Sequence, residues 1–447
     1  MKTCAIVLLV FTLATSRLLP LMYLLAIGAV EILLLLLVWK RKVIQIFVVI
    51  LMLITSSGLL YVEFVAQKII NYDPNIANTI SFFVPIDSKI TSIKSAVKNK
   101  ANIGYSTLLD DKVVTFIDEK LAENKYTDKM VSFDGIADGI ANLYDGTYKI
   151  LAVDQGYLSS VQQYDPEFLT KTKVIWSITK TDEIINLTQA NVTKEPFVIY
   201  IAGVDNRDEF QANRHDVNIM AVVDPIKHVI TMVSVPRDAY VQLGCKTRTA
   251  MDKLTHAGVY GMDCAIKTMQ NLLGVDVNYY AQVGFDTVTN LVAALGTIEV
   301  NLDEGFVVGG YTFKKGMNTL DKNSALMVAR ARYAFKKGDQ QRIINQQEVL
   351  KGIINKLLQP SSLTKIQGII KSVEGTVKTN MTGDEMFALI RMQIMNMQGW
   401  TFNQSTVTGK DASLPSYAMG GRSLYMVVLD KTSLDTAKAT LQAALVK

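Results

Sequence analysis

Phe197-Val198-Ile199-Tyr200-Ile201-Ala202-Gly203-Val204 is an unbroken apolar run that stops at Asp205. Eight such residues, rich in β-branched and aromatic side chains, have the pattern of a strand buried on both faces. Working outward, residues 217–223 and 228–235 read as two further strands joined by a turn at Asp224-Pro225. Residues 263–273 read as a helix, with Asp263 as its N-cap and Gly274 as its stop. Residues 279–285 return as a strand, 286–295 as a helix ended by Gly296, and 297–302 as another strand. Residues 324–333 and 340–358 read as helices, the second stopped before Pro360. Helices alternating with apolar strands predict an α/β fold, here a three-layer α/β/α sandwich with a mixed sheet.

The chain has 447 residues, room for roughly three units at ~150 residues each. The sandwich is expected over 196–405, with 406–447 as a C-terminal strand and helix tail. Before it, short apolar runs at 103–105, 149–153 and 174–178 alternate with helix-like stretches at 111–121 and 135–143. That alternation predicts a small accessory α/β domain over 101–190. Residues 66–100, broken by Asp73-Pro74 and Pro85, read as a connecting segment.

Hydrophobic residues make up 49% of the chain and charged residues 19%, with a mean hydropathy of +0.21. The apolar excess lies at the front. Residues 43–62 carry no charge, which matches the ~20 residues that a helix needs to cross a bilayer core. Residues 18–39 form a second candidate span, interrupted only by Glu31 and by Pro20 near its start. Residues 3–16 read as a third span or as the apolar part of a signal peptide. A membrane anchor of two or three transmembrane helices over 1–65 is therefore expected. Lys40-Arg41-Lys42 lies between the two better spans and should stay cytoplasmic. The chain is thus expected to be a multi-pass cell-membrane protein with its C-terminal domains extracytoplasmic. No ATP supply exists there, so any transfer chemistry needs a donor that is already activated.

The formal net charge is +5, and most of the surplus sits in the anchor. A nearly neutral exported part argues against nucleic acid as a partner, because such binding needs a concentrated basic surface. Recurrent apolar strands and helices exclude intrinsic disorder. Cys245 and Cys264 both fall in the exported part, where an oxidising setting permits a disulfide. The alternative is two unpaired thiols, one of them a small buried hydrophobe; only Cys264 has apolar helix-like neighbours, in Cys264-Ala265-Ile266, which favours the disulfide.

Polar residues gather just beyond strand ends, where open α/β sheets place their sites. Asp205 and Arg207 follow the first strand, and Arg214, His215 and Asp216 precede the second. Arg237 and Asp238 follow the third, with Lys253 and His256 in the next loop. A last cluster holds Arg330, Arg332, Asp339, Arg342 and Gln346. Taken singly, these residues are ordinary turn formers and solvated charges. Together, several arginine forks suit phosphate oxygens, and paired carboxylates beside them suit a hard divalent ion. No GxSxG, HExxH or Walker A sequence competes.

Gly203-Val204-Asp205-Asn206-Arg207, Arg214-His215-Asp216 and Ser234-Val235-Pro236-Arg237-Asp238 resemble motifs of the LytR-CpsA-Psr (LCP) family. So do Asp252-Lys253-Leu254-Thr255-His256-Ala257, residues 279–286, and Ala329-Arg330-Ala331-Arg332-Tyr333 with Gly338-Asp339, Arg342 and Gln346-Gln347. The anchor, the accessory domain and Leu414-Pro415-Ser416-Tyr417 are similar to CpsA-type capsule members. The resemblance implies a phosphotransferase. Such an enzyme moves a glycopolymer from an undecaprenyl-pyrophosphate carrier to peptidoglycan through a phosphodiester. By motif, Asp205 and Asp216 would hold Mg²⁺, or Mn²⁺ in its place. Arg237, Arg332 and Arg342 would bind pyrophosphate as catalytic residues with Asp216, and Gln346, Arg207, Lys253 and Arg330 would bind substrate. Asp216 as metal ligand and Asp216 as general base both stay open. His215 departs from the Ser usual before this aspartate, and Ile344 and Asn345 replace frequent basic residues. The resemblance also implies a disulfide in the loop of Cys245 and Cys264. The alternatives are a membrane regulator or scaffold working with other capsule-assembly proteins, and a carrier-lipid pyrophosphatase.

Overall fold

The computed structural model describes the chain except for residues 1–20, 38–40, 71–76, 108, 110, 156–157, 182–186, 205–213, 247–248, 336–337, 364 and 447. It opens with the helices Leu21–Leu37 and Lys42–Ile70. Among the described residues no helix is long and apolar enough to cross a membrane. The first helix has 17 residues, and the side chains of the second beyond residue 57 lie outside those described. The candidate span at 3–16 lies wholly outside the described residues.

The accessory domain is a five-stranded sheet. Val131–Phe133, Ile103–Ser106 and Ile150–Asp154 run parallel and adjacent in that order. Ala77–Pro85 then pairs antiparallel with Ile150–Asp154 on one side and with Thr172–Thr181 on the other. The expected connecting segment 66–100 is corrected here, because it supplies an interior strand of this sheet. Pro85 misled the reading: it ends the strand rather than interrupting it, a position where a missing N–H is tolerated.

The second domain is built on a six-stranded mixed sheet. Phe197–Val204 sits between the parallel Tyr279–Gly284 and the antiparallel His215–Asp224. Val229–Ser234 continues antiparallel, and Thr401–Thr406 closes that edge in parallel. Val377–Thr379 closes the other edge. The helices Met262–Leu273 and Lys431–Leu445 cover one face, burying Cys264, Met269, Ala437 and Leu441 against Tyr200, Met220 and Val233. On the other face Leu350 and Ile354 of Asp339–Leu357 pack on Ile219, Ala221 and Met232. This is the expected three-layer arrangement.

Several local readings change. Residues 406–447 are no appended tail, since Val407, Ala437 and Leu441 lie in the main core. Ile298–Leu302 leaves the main sheet and pairs with Gly316–Leu320 in a separate ribbon. Gly261, at φ +99°, caps the helix assigned to Asp263, which falls in its first turn instead. The helix expected at 324–333 is Lys322–Arg330, started by a reciprocal Asp321–Ser324 cap and ended by extended Ala331. Arg332 and Tyr333 therefore leave the helix. Cys245 and Cys264 are joined, with Cα atoms 4.8 Å apart.

Candidate active site

The register of the six-stranded sheet brings one set of termini to one edge. Val204 ends its strand beside His215, and Ile219 pairs with Ser234, so the segments carrying Asp216 and Arg237 meet. Arg237 Nη1 donates to Asp216 Oδ1 at 2.9 Å, and Thr255 Oγ1 approaches the same oxygen at 3.5 Å. Arg237 Nε lies 3.5 Å from Asp238 Oδ2, while Lys253 Nζ donates to Asp238 Oδ1 at 2.7 Å. From the facing helix, Arg342 Nη2 lies 2.5 Å from Asp339 Oδ1, and Arg332 Nε lies 3.7 Å from it.

These groups share one electrostatic site. Burial opposes the Arg237 charge, but Asp216, Asp238 and Asp339 more than offset it and hold the guanidinium above its ordinary value. Burial dominates at Arg342 and lowers its pKa, with Asp339, Arg237, Asp216 and Arg332 acting on it in turn. It lowers Arg214 likewise, within reach of Asp216 and Arg237. Burial would raise Asp238, but Lys253, Arg237 and Arg332 keep it below the usual carboxylate range. The structure thus brings Asp216, Arg237, Lys253, Arg332 and Arg342 together, and the cations outnumber the carboxylates around them.

The remaining expected residues play other parts. Arg330 stacks on Phe285, its guanidinium carbon 4.0 Å from the ring centre. Gln346 Nε2 donates to the Ala329 carbonyl at 3.1 Å, tying the two helices that carry the arginines. Asp205 and Arg207 lie outside the described residues. Asp216 suits half of a Mg²⁺ pair. One oxygen is held by Arg237, and among the described residues no side chain bonds the other. Among those residues no group of three His, Cys, Asp or Glu side chains forms a metal cluster.

None of the three histidines is a surface residue. Tyr200 donates its hydroxyl hydrogen to Asn218 Oδ1 at 2.6 Å, so the 3.0 Å contact with His215 requires Nδ1 to carry the imidazole proton. Burial pushes the His215 pKa down to about 4, keeping the ring neutral.

Two features had no counterpart among the sequence expectations. The first is a cavity of about 80 Å³ between the sheet and the arginine-bearing helices. It starts at Asp216 and is walled by Ile201, Ile219, Val288, Leu350 and Ile353. Gly203 keeps this wall open at Val217, because a Cβ there would come within 2.6 Å of the Val217 side chain. The second feature is Asp252, fully buried. Its Oδ1 accepts from His256 Nδ1, Ser416 Oγ and the Lys253 backbone, and its Oδ2 accepts from the Ala418 backbone. Burial would raise its pKa, but His256 and these donors hold it down. Ala418 and Met419 in turn pack on Phe133, Ile136 and Ile140 of the accessory domain.

The chain is thus an α/β sandwich with arginines and acids at its strand ends, beside an apolar cavity. The LytR_cpsA_psr family matches residues 166–443, and the chain belongs to that family. The match begins well before the boundary expected at 196. The chain is 39% identical over 195 residues to the "Polyisoprenyl-teichoic acid--peptidoglycan teichoic acid transferase TagU" of Bacillus subtilis strain 168. That alignment covers 43% of this chain and 63% of the relative, so it spans less than two thirds of that protein. A Bacillus licheniformis protein of the same name is 34% identical over 254 residues, 57% of this chain and 79% of the relative. Among solved structures, B. subtilis TagU matches with a TM-score of 0.45 at 31% identity, covering 57% of this chain and 98% of that one. B. subtilis TagV matches with a TM-score of 0.48 at 29% identity, covering 56% and 98%.

Proposed function

We propose that the chain transfers a glycopolymer, capsular or teichoic-acid-like, from an undecaprenyl-pyrophosphate carrier to a hydroxyl of peptidoglycan. The observation that carries this reading is that a cationic mouth and an apolar cavity meet at Asp216. A polyprenyl pyrophosphate has the same division into charged head and apolar tail. The names of the relatives support the same substrate class.

In the proposed reaction the acceptor oxygen bonds to the phosphorus that bears the glycan. The bond from that phosphorus to the bridging anhydride oxygen breaks, and lipid monophosphate leaves with that oxygen. The hydroxyl proton passes to an aspartate of the site. Arg237, Arg332 and Arg342 stabilise charge on the pyrophosphate and the leaving phosphate, the main contribution available in phosphoryl transfer. Asp205 and Asp216 would hold Mg²⁺, or Mn²⁺, which when bound neutralises further charge on the phosphate oxygens. Because the anhydride arrives activated, no ATP is needed. The reading accordingly includes a multi-pass membrane anchor with the domains after residue 66 outside the cell membrane. A reporter fused after Lys447 should be active only on that side, and activity in the cytoplasm would contradict the topology.

The deciding test supplies purified full chain with carrier-linked donor, with and without peptidoglycan. Transfer predicts lipid monophosphate and phosphodiester-linked product only when acceptor is present. Equal release without acceptor would identify a pyrophosphatase. Binding of donor with no turnover would identify a regulator. Either result overturns the proposal.

A further inference from the structure

Beside the cationic site the chain forms a two-stranded hairpin, Gly409–Pro415 paired with Ser423–Leu429. It is fastened to the segment that carries Arg237. The Val427 backbone donates to the Asp238 carbonyl at 2.8 Å, and Val427 bridges to Ala239. Alternation along a strand sends neighbouring side chains to opposite faces. Met426 turns into the core and Tyr425 turns out, 46% exposed. On the outer face Tyr425 stands opposite Ser413 and diagonal to Asp411.

Tyr425 is an exposed ring held at both ends. Its hydroxyl donates to Asp411 Oδ1 at 2.8 Å, and Lys253 Nζ lies 5.7 Å from the ring centre. Burial pushes its pKa up to about 12, and Asp411, Asp238 and Asp339 push the same way, so the hydroxyl stays protonated within the field of the site. Lys253 in turn donates to Asp238, which lies beside Arg237. A ring of fixed plane can take the C–H face of a sugar. A carboxylate has about four acceptor sites, and among the described residues only Tyr425 donates a side-chain hydrogen bond to Asp411, which leaves room for ligand hydroxyls.

The hairpin also lies on the side from which an acceptor has to come. Leu429 joins the core under Met262–Leu273. The apolar cavity is walled by Leu350 and Ile353 of the helix on the opposite face of the sheet. Phosphoryl transfer sets the attacking and leaving oxygens roughly in line. With the leaving lipid phosphate drawn toward the cavity, the attacking hydroxyl approaches from the hairpin side.

We infer that Tyr425 is the platform on which a pyranose of the acceptor glycan stacks, with Asp411 taking its hydroxyls. The inference rests on the transferase reading for the side of approach, while binding at the platform can be measured without turnover.

Two measurements on the full chain in lipid nanodiscs test it. Saturation-transfer NMR with chitotetraose, in the absence of donor, should show saturable binding. Tyr425→Ala should raise the Kd about tenfold, the scale of losing an aromatic anchor, and Tyr425→Trp should restore it by returning a stacking face. Asp411→Ala should weaken binding in the same direction. In transfer assays with carrier-linked donor and solubilised peptidoglycan strands, Tyr425→Ala should raise the KM for the strands and leave the KM for donor unchanged; a merely structural role would move both. No saturable binding, binding unaltered in Tyr425→Ala, a loss that Tyr425→Trp does not restore, or a matching rise in donor KM would overturn the inference. Tyr425-dependent binding in a chain that transfers nothing would support the glycan platform and overturn the transferase reading instead.

Discussion

The chain holds two strand-end crevices that share a plan and differ in charge. In the six-stranded domain, termini that meet at one edge present Arg237, Arg332, Arg342 and Lys253 above an apolar cavity. In the accessory domain the corresponding edge presents Ser106 and Asp154 beside a smaller apolar cavity. Topology explains where both crevices lie, and it says nothing about what either one takes. The side chains make that choice: guanidinium forks suit phosphate oxygens, and the accessory crevice has none among the described residues that line it.

The largest effect should come from damaging the cationic crevice. Arg342→Lys keeps the charge but loses the two-pronged match to phosphate, and transfer should fall by roughly 10²–10³-fold, the usual cost of losing one such donor. Asp216→Asn should lower transfer and weaken its dependence on Mg²⁺, measured by metal titration. Both variants should keep the wild-type circular dichroism spectrum, and full activity in either would break the comparison.

A structural effect comes next. Cys245 and Cys264 are 19 positions apart, so removing their link by Cys245→Ser with Cys264→Ser should cost on the order of 3 kcal/mol by chain entropy. Urea unfolding with and without reductant measures it, and the accessory domain should be indifferent.

His215 gives a pH signature to the cationic domain alone. Its folded pKa of about 4 lies below its ordinary 6.5, so the neutral ring is the form that the fold stabilises. That contribution is complete above pH 6.5 and is lost as the pH falls through 6.5 towards 4, by about 1.4 kcal/mol per unit. His215→Ser should flatten this part of the stability profile. An unchanged slope would mean that the imidazole does not titrate as its burial requires.

The smallest effect is expected from filling the apolar cavity. Ala329→Phe, at its wall, should raise the KM for a long-chain donor about tenfold, the scale of one or two displaced methylenes, and should leave a short-chain donor less affected.

Much of this arrangement was legible in the residues. Apolar runs such as Phe197–Val204 carry their own strand signal, and Gly274 and Gly296 mark helix ends through positive φ. Arg237, Arg332 and Arg342 were recognisable as a set, although they come from separate stretches. The strand Ala77–Pro85 was missed because a terminal proline looks like an interruption. The Asp252–Ser416 bond joins positions 164 residues apart, and no local pattern records such a pairing. Both cavities were invisible for a similar reason: an unfilled volume is a property of packed elements and leaves no trace in the spacing of residues.

The central claim is that one substrate occupies the cationic mouth and the apolar cavity at once. Photocrosslinking the full chain with a polyprenyl pyrophosphate bearing a benzophenone at its tail tests it most directly. The account predicts adducts, located by mass spectrometry, on Val288, Leu350 or Ile353, and their loss when Arg237 and Arg342 are both changed to Ala. Adducts confined to other surfaces, or cavity adducts that persist in that double variant, would contradict it.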